Sequence, residues 1–87
     1  MKEHVAIERQ AIDRAYDDLV RAGIRCEKIA REKKTRAGIR GSYKGWPFLV
    51  YVSFVGREGN FAALITTRYK SRDWVHKPPQ EVLKQEG

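Results

Sequence analysis

The sequence predicts an α+β domain in which an amphipathic N-terminal helix packs on a small antiparallel sheet and a short helix or turn ends the chain. Two observations carry most of this. From Trp46 to Tyr69 the chain holds two apolar runs separated by Gly56-Arg57-Glu58-Gly59-Asn60, and each run alternates with the period of two that sends successive side chains to opposite faces of a strand. Residues 3–22 instead repeat their apolar positions at steps of three and four, the period of a helix with one buried stripe.

In chain order, the helix carries Val5, Ile12, Leu19 and Val20, with Ala11, Ala15 and Tyr16 between them. Glu8, Arg9, Asp13, Asp17, Asp18 and Arg21 fall mostly elsewhere. Gly23 supplies a natural stop, since glycine accepts the left-handed conformation that closes helices. The pattern spans too few heptads for a coiled coil, so the helix is expected to cover one face of the sheet.

Ile24 to Ala30 fits either a strand, with Ile24, Cys26 and Lys28 alternating with Arg25, Glu27 and Ile29, or a continuation of the helix. The strand reading is preferred, because a lone hairpin is seldom stable without a third strand. Residues 33–45 then read as a basic, glycine-containing loop. Gly38, Gly41 and Gly45 invite comparison with phosphate-cradling loops, but their spacing matches neither the Walker A nor the dinucleotide pattern.

The hairpin is expected over 47–55 and 61–69. Phe48, Val50, Val52 and Phe54 share one face of its first strand, and Leu49, Tyr51, Ser53 and Val55 share the other. Both faces are largely apolar. Beyond Tyr69, Trp74 and Val75 are expected to pack on the sheet edge, and Pro78 and Pro79 interrupt regular structure. A brief helix over Gln80–Gln85 is expected in a tail, 78–87, that frays.

With 87 residues the chain forms one domain, 1–87, near the lower limit of what folds unaided. Such a domain is marginal by itself or draws stability from a partner or a second copy, so a homodimer stays open. The single Cys26 excludes an intramolecular disulfide and reads as a small apolar residue. No apolar run has the length of a membrane span and the N-terminus has no signal-like core, so no membrane association and a soluble, cytoplasmic protein are expected.

Charge is the most informative global property. The net charge is +7, yet residues 1–24 carry −1 and residues 45–67 none. Residues 25–44 hold eight basic against two acidic side chains, and residues 68–77 hold four against one. Since the segments that enter and leave an antiparallel hairpin lie at the same end, the two runs are expected to form one basic patch.

Candidate chemistry is sparse. His4 and His76 have no nucleophile or ligand set beside them in sequence, and Asp13, Asp17 and Asp18 read as a solvated face paired with Arg9, Arg14 and Arg21. The order of helix, glycine-led strand and hairpin is similar to the core of restriction-type and junction-resolving nucleases. Those enzymes hold a metal ion with an Asp at one strand end and a Glu-x-Lys on the next, whereas this hairpin offers only Glu58, in its turn. Glu27 to Arg40 has the outline of a helix-turn-helix with the hairpin as a wing, but Gly38 and Gly41 oppose a recognition helix. No catalytic constellation, metal site or cofactor is therefore expected.

The expected function is non-enzymatic binding of nucleic acid, DNA or RNA, with little sequence specificity. Lys33, Lys34, Arg36, Arg40, Tyr43, Lys44, Arg68, Lys70 and Arg72 are the expected contacts, with Trp46, Tyr69 and Trp74 near enough in sequence to stack on bases. The alternative is a small protein-binding inhibitor or adaptor, of the kind phages and mobile elements carry, acting on a host complex through its basic surface or a strand edge.

Overall fold

The computed structural model describes residues 2–30, 37–55, 62–71 and 75–86. The chain runs through helix α1 (Lys2–Arg21), strands β1 (Cys26–Ala30), β2 (Ala37–Tyr43), β3 (Trp46–Val55) and β4 (Ala62–Tyr69), and helix α2 (Pro79–Glu86). The strands form one antiparallel sheet in the order β1-β2-β3-β4. The α+β architecture, the hairpin and the strand near 24–30 are thus as the sequence predicts.

α1 buries Ile12, Ala15 and Leu19, spaced at three and four residues, against the sheet. Glu8 completes the stripe and is only 7 % exposed, whereas Val20, read from the sequence as apolar-face, is 51 % exposed. At 100° per residue Val20 stands well round the helix from Leu19, which explains the difference. The helix ends in a Schellman motif: Ile24 N–H donates to Leu19 O and Gly23 N–H to Val20 O, both at 3.0 Å. Gly23 takes φ 78°, a conformation costly for residues with a Cβ.

One expectation is corrected at β2. The segment read as a loop over 33–45 contains a seven-residue strand, Ala37–Tyr43. Glycine lowers strand propensity, but here packing outweighs it. A Cβ on Gly41 would stand 2.6 Å from Cζ of the Phe48 ring and would also collide with the Arg25 carbonyl, so Phe48 lies in space that only glycine leaves. β2 then continues to Lys44 and Gly45, at φ 52° and 81°, the left-handed pair of a type I′ hairpin turn.

The covered face of the sheet presents Ile39, Phe48, Val50, Val52, Thr67 and Tyr69 to α1. Ile39, Val50 and Thr67 are cross-strand neighbours and all are fully buried. Beyond β4, Thr67 and Val75 exchange reciprocal backbone hydrogen bonds of 3.1 and 3.2 Å, so Val75 acts as a one-residue edge strand. Pro79 opens α2 at the position where its missing N–H costs nothing. Val82 and Leu83 are buried, and Leu83 joins the core of α1 and the sheet. The stretch expected to fray is therefore a docked helix, because its two adjacent apolar residues complete the core.

Candidate nucleic-acid interface

The antiparallel order collects several connections at one end of the sheet. β1 starts there after Arg25, β2 turns into β3 at Lys44–Gly45, and β4 exits at Lys70–Ser71. Lys70 and Ser71 also adopt left-handed conformations, φ 54° and 58°. Each non-glycine residue in that region costs about 1 kcal/mol or more, so Lys44 and Lys70 are held in place by the turns rather than by local preference.

Three aromatic rings support the two lysines. Lys44 Nζ stands 5.5 Å from the Tyr43 ring centre, and Lys70 Nζ stands 5.5 Å from that of Trp46 and 5.1 Å from that of Tyr69. Tyr43 and Tyr69 meet edge to face at 6.1 Å, and the buried Tyr69 hydroxyl donates to the Tyr43 carbonyl at 3.1 Å. That bond ties the exit of β4 to the end of β2. Trp46 is 52 % exposed, an unusual position for so large an apolar ring.

The other expected contacts divide. Arg40 and Arg68 are exposed on the face of the sheet opposite the helices, one on either side of Leu49 in the same cross-strand row. Arg40 Nε donates to Glu27 Oε1 at 3.1 Å, the pair lying across the β1–β2 ladder. Lys33, Lys34, Arg36 and Arg72 lie outside the described residues, as does Trp74. Ala30 and Ala37, which flank residues 31–36, pair at the end of the ladder away from Lys44. With about 3.3 Å per strand residue, Ala37 stands roughly 20 Å along β2 from Tyr43.

Trp46, Tyr43 and Lys70 were legible from their proximity in sequence to the hairpin ends. Tyr51 was not singled out, although the alternation of β3 puts it on the helix-free face beside Arg40 and Arg68.

Elsewhere, Lys28 reaches back to α1, 3.3 Å from Asp13 Oδ1 and 5.2 Å from the Tyr16 ring centre. The expected pairing of Asp13 within its own helix is thus replaced by one across to β1. His76 is exposed, with Nδ1 3.3 Å from Thr66 Oγ1. A groove of about 500 Å³ between α1 and the passage into α2 is floored by Ala11, Ala15, Ala63 and Ile65 and rimmed by Arg14, His76 and Lys77. Among the described residues, no three His, Cys, Asp or Glu side chains converge as metal ligands would. Burial pushes the Cys26 thiol above its ordinary pKa, which disfavours the reactive thiolate. No helix among the described residues is long and apolar enough to cross a membrane.

No known protein family, characterised protein or solved structure matches the chain.

Proposed function

We propose that this protein binds nucleic acid without catalysing a reaction, gripping phosphates with little sequence preference. The observation that carries this reading is the cationic and aromatic end of the sheet, where Lys44 and Lys70 are presented by left-handed turns over Tyr43, Trp46 and Tyr69. Lysines serve phosphates as point charges, and the exposed Trp46 offers a face to an unstacked base. Arg40 and Arg68 extend the basic surface along the sheet, and Lys33, Lys34, Arg36 and Arg72 add charge from the sequence. The net charge of +7 favours the same class of partner.

Fluorescence anisotropy of labelled oligonucleotides, titrated across a range of salt, tests the reading. Binding is expected to fall steeply as salt rises, whatever the base sequence. Changing Lys44 and Lys70 together to Ala is expected to weaken it and to reduce the logarithmic salt slope by about one per lost phosphate contact. No binding at low salt would overturn the proposal.

One observation favours the alternative, a protein-binding inhibitor or adaptor. β1 is an edge strand, and among the described residues nothing pairs with its outer side. A partner strand added there would bind through backbone hydrogen bonds, with much weaker dependence on salt. β1 is short and carries Glu27 and Lys28, features that guard edges against such pairing, so nucleic acid remains the leading reading.

A further inference from the structure

We propose that the groove between α1 and the start of β4 is a docking site for an extended acidic peptide, which enters as an added strand on the open edge of β4. The groove lies at the opposite end of β4 from the Lys70 turn, and the inference stands apart from the nucleic-acid reading.

β4 ends the sheet, and its ladder with β3 fixes which way its backbone groups point. Thr67 directs its N–H and C=O outward, onto Val75. Along a regular antiparallel ladder the direction alternates, so Ile65 and Ala63 also turn their N–H and C=O outward. Among the described residues no backbone group pairs with these four. Val75 covers Thr67 alone, and after His76 the chain leaves the edge to begin α2. That divergence opens the groove of about 500 Å³, with Ala63 and Ile65 on one side and Ala11 and Ala15 of α1 on the other. The volume falls in the range of clefts that hold ligands.

Two features select the occupant, and the first is the edge itself. A purely apolar occupant would take the outward groups of Ala63 and Ile65 from water without pairing them, whereas an extended chain supplies a donor and an acceptor for each. Exposed edges are commonly guarded by charge or proline, as Glu27 and Lys28 guard β1. Ala62-Ala63-Leu64-Ile65 carries neither. α1 on one side and Pro78 and Pro79 on the other confine this edge instead, leaving room for one strand.

The second feature is charge. Arg14 and Lys77 are exposed at the rim, and neither forms an ion pair among the described residues. Asp18, one helical turn beyond Arg14, is the one acidic side chain in the lining, so the cations outnumber it. His76 also borders the groove, with its Nδ1 held at Thr66 Oγ1. An extended segment that alternates carboxylates with small apolar side chains matches both the rim and the alanine-lined floor. The net charge of +7 steers the same partner toward the protein.

The test is selection followed by mapping. A displayed library of random dodecapeptides is panned on the whole protein, and the enriched peptides are synthesised, labelled and titrated by fluorescence anisotropy. They are expected to carry net negative charge. Arg14→Glu/Lys77→Glu, which changes exposed side chains only, is expected to weaken their binding about tenfold. Ala11→Trp, which fills the floor, is expected to abolish it. In amide hydrogen exchange followed by NMR, bound peptide should slow the Ala63 and Ile65 amides about tenfold or more, because those N–H groups gain partners only when a strand is added. Circular dichroism melts establish that each variant is folded. If Ala11→Trp is not, N-methylation of the peptide at alternate residues replaces it, and one of the two phases should abolish binding. Failure to enrich any peptide, enrichment of basic ones, unchanged binding by Arg14→Glu/Lys77→Glu, or binding that leaves both amides unprotected would overturn the proposal. Self-association that Ala11→Trp removes would assign the groove to a second copy and overturn it too.

Discussion

The two faces of β3 have nearly the same sequence character and opposite fates. Phe48, Val50 and Val52 are buried to 3, 0 and 0 % exposure beneath α1, while Leu49, Tyr51 and Ser53, one residue out of phase, are only half-buried. Alternation decides which residues share a face, but it does not decide which face receives the helix. Here the choice is made by β2. Gly41 opens the covered side for the Phe48 ring, and Ile39 meets Val50 there, whereas the opposite side of β2 carries Arg40 and Ser42. A helix laid over the second face would bury Arg40 and Arg68, at a desolvation cost far larger than the burial of Leu49 repays.

The largest expected break of this contrast is Phe48→Ala, which removes a buried ring and should cost about 3–5 kcal/mol in urea unfolding. Leu49→Ala, its neighbour on the other face, should cost under about half as much, because much of its surface is already in water. Equal losses would mean that both faces are covered. Gly41→Ala follows, at about 1–3 kcal/mol, since the new Cβ meets both the Phe48 ring and the Arg25 carbonyl. Its loss should be partly relieved when Phe48 is shortened to Leu, a double-mutant cycle that reports their contact.

Smaller effects sharpen the account of the covered face. Thr67 Oγ1 is fully buried and has no hydrogen-bond partner among the described residues, so Thr67→Val should stabilise the fold by about 1 kcal/mol, raising the melting temperature. Val at the same place on a strand keeps both shape and propensity. Last, Cys26 belongs to the covered side of β1, and burial raises its pKa. Its stability contribution is present below the unfolded-state pKa and is lost as pH rises through the folded one. Iodoacetamide should accordingly modify Cys26 more slowly in the native protein than in urea near pH 8, with the native rate catching up only at higher pH.

How much of this was legible varies along the chain for physical reasons. α1 and the β3–β4 hairpin have long, regular periods, and periodicity reports burial directly. β2 was hidden because Ala37-Gly38-Ile39-Arg40-Gly41-Ser42-Tyr43 has little apolar content and two glycines, the composition of a loop. Gly41 signals a strand only when Phe48 is known to lie over it. α2 was foreseen as a short helix, but its docking depends on the return of Val75 along β4, a contact between residues with no common pattern in sequence.

The sequence by itself determined the α+β class, the helix stop at Gly23, the central hairpin and the excess of positive charge, because each depends on local periodicity, on backbone conformation or on simple counting. Tertiary structure alone decided the fourth strand, the covered face of β3, and the meeting of Lys44 and Lys70 over Tyr43, Trp46 and Tyr69. These depend on pairs far apart in the chain, such as Gly41 with Phe48 and Tyr69 with Tyr43, whose energies of contact exceed the local preferences of the residues that make them.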